Sequence, residues 1–157
     1  MAAGKFTWYN EAMRYFLKGR IDLESQTIKV YPIRDSYSPS TGSHSALAQI
    51  TAFQATASNT IVNAITLATS SVTGSGGDTV KWSGANISGF SSDGSTIPSF
   101  KYIVLVAQSA SSGGGIDNLL IGFMNLDTTT ASSSAGNSTQ VNITWSSSGI
   151  GKLRSNP

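Results

Sequence analysis

Residues 102–107 read Tyr-Ile-Val-Leu-Val-Ala and form the longest uninterrupted apolar run in the chain. A membrane-spanning helix takes about 20 such residues, so this run is far too short for one. A short apolar run rich in β-branched residues reads instead as a strand, and a strand apolar on both faces must be covered on both. Residues 102–107 are therefore expected at the centre of a sheet, with the rest of the chain wrapped around them.

Further strand-like runs lie at 26–33, 60–67, 79–83, 119–126, 139–145 and 150–153. They are bounded by Gly-, Ser-, Asn- and Asp-rich clusters at 74–77, 91–95, 111–115 and 128–138. In 26–33, Ile28, Val30 and Pro32 alternate with Lys29 and Tyr31, as a half-buried strand requires. Pro32 has no N–H to give a ladder, so its end belongs at an edge or an exit. Val141, Ile143 and Trp145 alternate with polar residues and are expected to show one face to water. Residues 34–45 read as a turn-rich loop, and 46–53 fits a short helix as well as an extended segment. Short strands, glycine-rich turns and one helix indicate a mainly β fold: an antiparallel β-sandwich, jelly-roll-like, with one short N-terminal α-helix. The 157 residues suit a single domain, divided into an N-terminal helical arm at 1–24 and a sandwich at 25–157.

The helix is expected over 6–18, where Phe6, Tyr9, Met13, Phe16 and Leu17 recur at spacings of three and four and make one apolar stripe. Thr7 reads as the N-cap and Gly19 as the residue that ends the helix. Trp8 and Tyr15 fall off the stripe, so the helix is aromatic on more than one side. That is expected either of a helix packed between its own domain and a partner, or of aromatics folded onto a loop of the same chain.

Apolar residues make up 39% of the chain and charged residues only 11%, against roughly a quarter charged in ordinary soluble domains. A net charge of +2 gives too weak a field to hold nucleic acid, and no three bases cluster. Residues 1–34 do carry six bases against three acids, a local excess that suits an acidic surface or plain solvated charges. With no cysteine there is no disulfide framework and no thiolate chemistry. No apolar leader follows Lys5, so synthesis as a soluble cytoplasmic chain is expected. The sequons at Asn86, Asn137 and Asn142 read as accidents of a Ser/Thr-rich sequence.

Chemistry is hard to assemble from these residues. His44 is the only histidine and sits in a Ser/Gly-rich loop. Pairing it with Asp35 and a serine needs no more than coincidence in so serine-rich a chain. One histidine and no cysteine cannot make a structural zinc site. Asp78 and Asp93 lack the spacing of a calcium loop, and the glycine-rich runs at 74–78 and 149–152 do not match a phosphate loop. No enzyme activity, cofactor, metal, membrane, direct nucleic-acid contact or small-molecule substrate is expected. Trp8, Tyr9, Arg14 and Tyr15 make only a faint single-strand-binding pattern. Trp82 and Trp145 could stack on a sugar but lie in strand-like runs, where a core role is the default.

The order of segments resembles a family of small tailed-phage virion proteins. Its members run a short aromatic helix into an I-D-L-x-x-x-x-I-K-V strand, here Ile21-Asp22-Leu23 followed by Ile28-Lys29-Val30. Later come Val80-Lys81-Trp82-Ser83-Gly84-Ala85, then Tyr102-Ile103-Val104-Leu105, then Leu120-Ile121-Gly122 and a closing segment over 141–150. The resemblance implies a capsid decoration or cement protein, commonly a homotrimer, on the outer surface of the virion. There it would bridge major capsid protein subunits. The alternative is a tail or head-fibre β-module that binds a host glycan. Interfaces favour aromatics and Arg as anchors, so Phe6, Trp8, Tyr9, Arg14 and Tyr15 are the candidate contacts with the shell or between protomers.

Overall fold

The computed structural model describes residues 5–57, 60–61, 64–74, 79–90, 100–108, 116–126, 141–147 and 149–154. The turn clusters expected at 91–95, 111–115 and 128–138, most of the one at 74–77, and Asp78, Asp93 and Asn137 lie outside those residues.

In chain order, β1 (Thr7–Trp8), α1 (Asn10–Leu17) and β2 (Ile28–Ile33) are followed by two 3-10 turns, Leu47–Gln49 and Thr51–Phe53. Then come β3 (Thr56–Ala57), β4 (Thr60–Ile61), β5 (Ile65–Thr66), β6 (Ser71–Gly74), β7 (Thr79–Ser83) and β8 (Ile87–Phe90). The chain continues through β9 (Tyr102–Ala107), β10 (Leu119–Asn125), β11 (Val141–Ile143) and β12 (Gly151–Arg154). The fold is mainly β, antiparallel, with one short helix near its N-terminus. A five-stranded sheet runs β1-β10-β9-β2-β5 and a three-stranded sheet β12-β7-β6, with β8–β11 and β3–β4 as two-stranded ribbons.

The apolar run at 102–107 is β9, the middle strand of the larger sheet, and Ile103 to Ala107 are fully buried. Register explains why both faces had to be apolar. Ile103, Leu105 and Ala107 share one face with Ile28, Val30 and Gly122; Val104 and Val106 share the other with Tyr31, Leu120 and Phe123. The first face meets the three-stranded sheet, where Trp82 packs on Trp8. The second is closed by Tyr9 and by Tyr37 from the segment after β2, which lie against Phe123 and Tyr102. Pro32 sits in β2 with its carbonyl accepting from Ala55 N–H. In a strand N–H and C=O point the same way, so the missing donor faces away from β9, where β5 has already ended.

The N-terminal segment departs from the sequence expectation in two ways. The helix covers Asn10–Leu17 rather than 6–18, because Thr7 and Trp8 pair with Phe123 and Gly122 as an edge strand and Tyr9 N–H extends that ladder to Ile121 O. Its buried side is then Ala12 and Tyr15, in phase with Tyr9, and Leu17 from the expected stripe is 88% exposed. Tyr9, not Thr7, is the N-cap, and it makes no side-chain cap bond; Thr41 O takes the Asn10 N–H. Secondly, residues 5–24 are not an arm beside the sandwich. They supply the sheet's outer strand and part of the core, since Tyr9, Tyr15, Ile21 and Leu23 are all buried.

The helix end follows expectation. Gly19 takes φ 63°, Gly19 N–H donates to Phe16 O, and Arg20 N–H donates to Tyr15 O. This is a Schellman motif, which satisfies orphan carbonyls and turns the chain sharply.

Candidate functional site

The two sheets are joined by rings from distant parts of the chain. Phe6 and Trp8 meet edge to face at 4.8 Å, Trp8 stacks on Trp82 at 5.8 Å and 30°, and Phe16 meets Trp8 edge to face at 5.3 Å. Two glycines make room for them. A Cβ on Gly122 of β10 would strike the Phe6 ring and come within 2.7 Å of Thr7 O; one on Gly151 of β12 would come within 2.8 Å of Trp8. The Trp82 indole N–H donates to Ser70 Oγ at 2.8 Å, so its polar atom is satisfied within the chain.

Beside this junction the sandwich does not close. A groove of about 340 Å³ opens between the sheets, walled by Trp8, Phe16, Ile21, Val72, Val80 and Trp82. Val72 lies opposite Trp82 across the β6–β7 pair, and Val80 precedes it by two residues, so all three share one face of the smaller sheet. Trp82 is 2% exposed at the back, whereas Val80 is 43% exposed at the mouth.

Asp22 and Glu24 also line the groove. The Asp22 carboxylate accepts from the Ser25 hydroxyl and from the backbone N–H of Glu24 and Ser25. The Ser25 bond, then those two amides, hold its pKa below the ordinary carboxylate value. Glu24 Oε1 accepts from Val72 N–H at 2.9 Å and so caps a donor on the edge strand β6.

On the opposite face, a polar chain runs out of the core. Tyr9 and Tyr37 hydroxyls lie 2.7 Å apart, and the Tyr37 oxygen lies 2.9 Å from His44 Nδ1. Ser40 N–H also donates to Nδ1, which makes that nitrogen an acceptor. Tyr37 O–H then donates to His44 and Tyr9 O–H donates to Tyr37. Burial, followed by this donated bond, pushes the Tyr9 phenol far above its ordinary pKa; burial does the same, less strongly, to Tyr37. His44 thus terminates a structural hydrogen-bond chain, with Nδ1 already engaged.

The five residues singled out from sequence separate into three groups. Phe6 and Trp8 are half-buried at the inter-sheet junction, with Trp8 on the groove wall. Tyr9 and Tyr15 are core residues, 0% and 3% exposed, and the Tyr15 hydroxyl accepts from Ile116 N–H. They are inside the molecule because Tyr9 sits where β1 meets α1 and Tyr15 is on the helix's inner side. Arg14 is exposed and forms an ion pair with Glu11 one turn away. Trp82 was weighed only as a sugar platform, and Val72 and Val80 were not legible as site residues, since the pairing of β6 with β7 is what brings Val72 to the face of the other two. The period-two spacing of Val80 and Trp82 was the available signal.

The Trp145 indole N–H donates to Ala85 O and its backbone N–H to Asn86 Oδ1, so this ring also belongs to the fold. Among the described residues no three His, Cys, Asp or Glu side chains come together as a metal site, and no helix is long and apolar enough to cross a membrane. No protein-family model, no curated protein and no solved structure matches the chain.

Proposed function

We propose that this chain is a non-catalytic structural protein of a tailed-phage virion: a decoration or cement protein, homotrimeric on the outer capsid surface, that stabilises the head by bridging major capsid protein subunits. The observation that carries the reading is the groove, an apolar surface left open beside the junction of the two sheets, as a protein built to be completed by a neighbour would have. The segment order that resembles the virion family supports the same reading. So does the chemistry near the groove. Its two carboxylates are engaged in backbone turns and edges, and their charge disfavours phosphate. The single histidine is committed to Tyr37. Many modest contacts, repeated by symmetry, then suffice to stabilise a shell.

The glycan-binding alternative draws no support from the two tryptophans that suggested it, since Trp82 and Trp145 have their rings packed inside. Adding purified protein to heads that lack it tests the proposal. Saturable, symmetric density on the outside of the shell by cryo-electron microscopy, with heads more resistant to heat, is the expected result. Heads that stay bare at saturating protein overturn it.

A further inference from the structure

The groove's own rim carries a shape that matches it. Phe16 lines one wall and Ile21 the next, and between them Leu17, the last residue of α1 and off the helix's buried side, stands outward. It is the most exposed large apolar side chain among the described residues. Lys18 and Arg20, both exposed, flank it, with the Arg20 guanidinium carbon 5.9 Å from the centre of the Tyr15 ring. The groove offers the complement: apolar walls, with Asp22 and Glu24 beside them. Neither carboxylate has a basic partner among the described residues, where the one ion pair is Glu11 with Arg14. Leu17 cannot occupy its own groove, because it points into solvent.

We propose that the groove of one copy receives Leu17 of a second copy of this chain, with Lys18 and Arg20 of the incoming turn placed against Asp22 and Glu24. The inference rests on the assembly part of the function proposed above and names the contact that makes it. A one-way contact of knob into groove is heterologous, and it builds a ring when the rotation between copies closes and a filament when it does not; a reciprocal exchange makes a two-fold dimer. A knob that leaves the chain at the lip of the groove lies beside the axis of such a ring, where each copy both gives and receives.

The test is the mass in solution of the full chain and its variants, by light scattering and sedimentation. Leu17→Asp is expected to reduce the wild-type assembly to the 16.3 kDa monomer with an unchanged circular dichroism spectrum, because the side chain is exposed, and with a melting temperature close to that of wild type diluted to the monomer, since losing a partner lowers apparent stability by mass action. Glu24→Gln keeps an amide oxygen for Val72 N–H and removes only the charge. It and Lys18→Gln should each weaken assembly about two- to fivefold, and together by less than the product of the two. A wild-type chain that is monomeric at its solubility limit overturns the inference, as does a Leu17→Asp variant of wild-type mass or a fully multiplicative double variant. Binding to heads is read separately. Bare heads with a Leu17-dependent assembly remove the capsid reading alone, and decorated heads with an unaltered Leu17→Asp mass remove this contact alone.

Discussion

On one face of the five-stranded sheet Tyr9, Tyr37, Tyr102 and Phe123 interlock, and the hydroxyls of Tyr9 and Tyr37 form a hydrogen-bond chain that ends on His44. On the other face Trp8 and Trp82 stack at the back of a groove whose outer walls, Val72 and Val80, are 36% and 43% exposed. Both faces are aromatic, and composition does not tell them apart. Polar groups reach partners inside the chain on both faces, and the difference is whether the apolar walls are covered. A covered face contributes its full apolar area to folding stability, and an open one leaves part of that area in water.

Breaking the covered face should have the largest effect. Tyr9→Ala removes a fully buried ring and is expected to lower unfolding free energy by about 3–5 kcal/mol. Tyr9→Phe, which removes only the donor to Tyr37, should cost about 1 kcal/mol. Denaturant titration of the two variants measures both, and equal losses would mean that the hydroxyl chain, not the packing, closes this face. The junction between faces comes next. Gly122→Ala drives a methyl onto Phe6 and the Thr7 carbonyl, with an expected loss of about 1–3 kcal/mol and faster hydrogen exchange at Tyr9 N–H. A neutral result would mean that β1 can shift without penalty.

The smallest effect is at the groove's rim. The folded-state pKa of Asp22 lies below its unfolded value, so its contribution is present above the ordinary carboxylate value and is lost as pH falls through the folded value. Asp22→Asn should therefore sit below wild type in melting temperature at neutral pH and converge with it in acid. Parallel curves at all pH values would show that the Ser25 and backbone bonds do not depend on the charge.

Sequence patterning revealed β9 because a six-residue apolar run has one economical solution, and β2, β7 and β10 because their lengths approach those of ordinary strands. It misplaced the start of the helix because β1 is two residues long and its strand character comes wholly from pairing with Phe123 and Gly122. No local pattern can report a partner that far away. The same reason hid the groove, since Trp8 and Trp82 come from opposite sheets. Ser71–Gly74 was missed because only Val72 and Thr73 favour strand; the Glu24 cap and the β7 partner supply the rest. Tyr15 looked peripheral only while the helix was phased from Phe6.

The seating of Phe6 and Trp8 between Gly122 and Gly151 also sets an order of events in synthesis. Phe6 and Trp8 leave the ribosome more than a hundred residues before the two glycines that receive them. The outer strand therefore cannot close until β10 has been made, and such distant pairings are slow to form. Until then two aromatic side chains remain uncovered on the nascent protein, which makes the closing of β1 a late step and a natural point for premature association between chains.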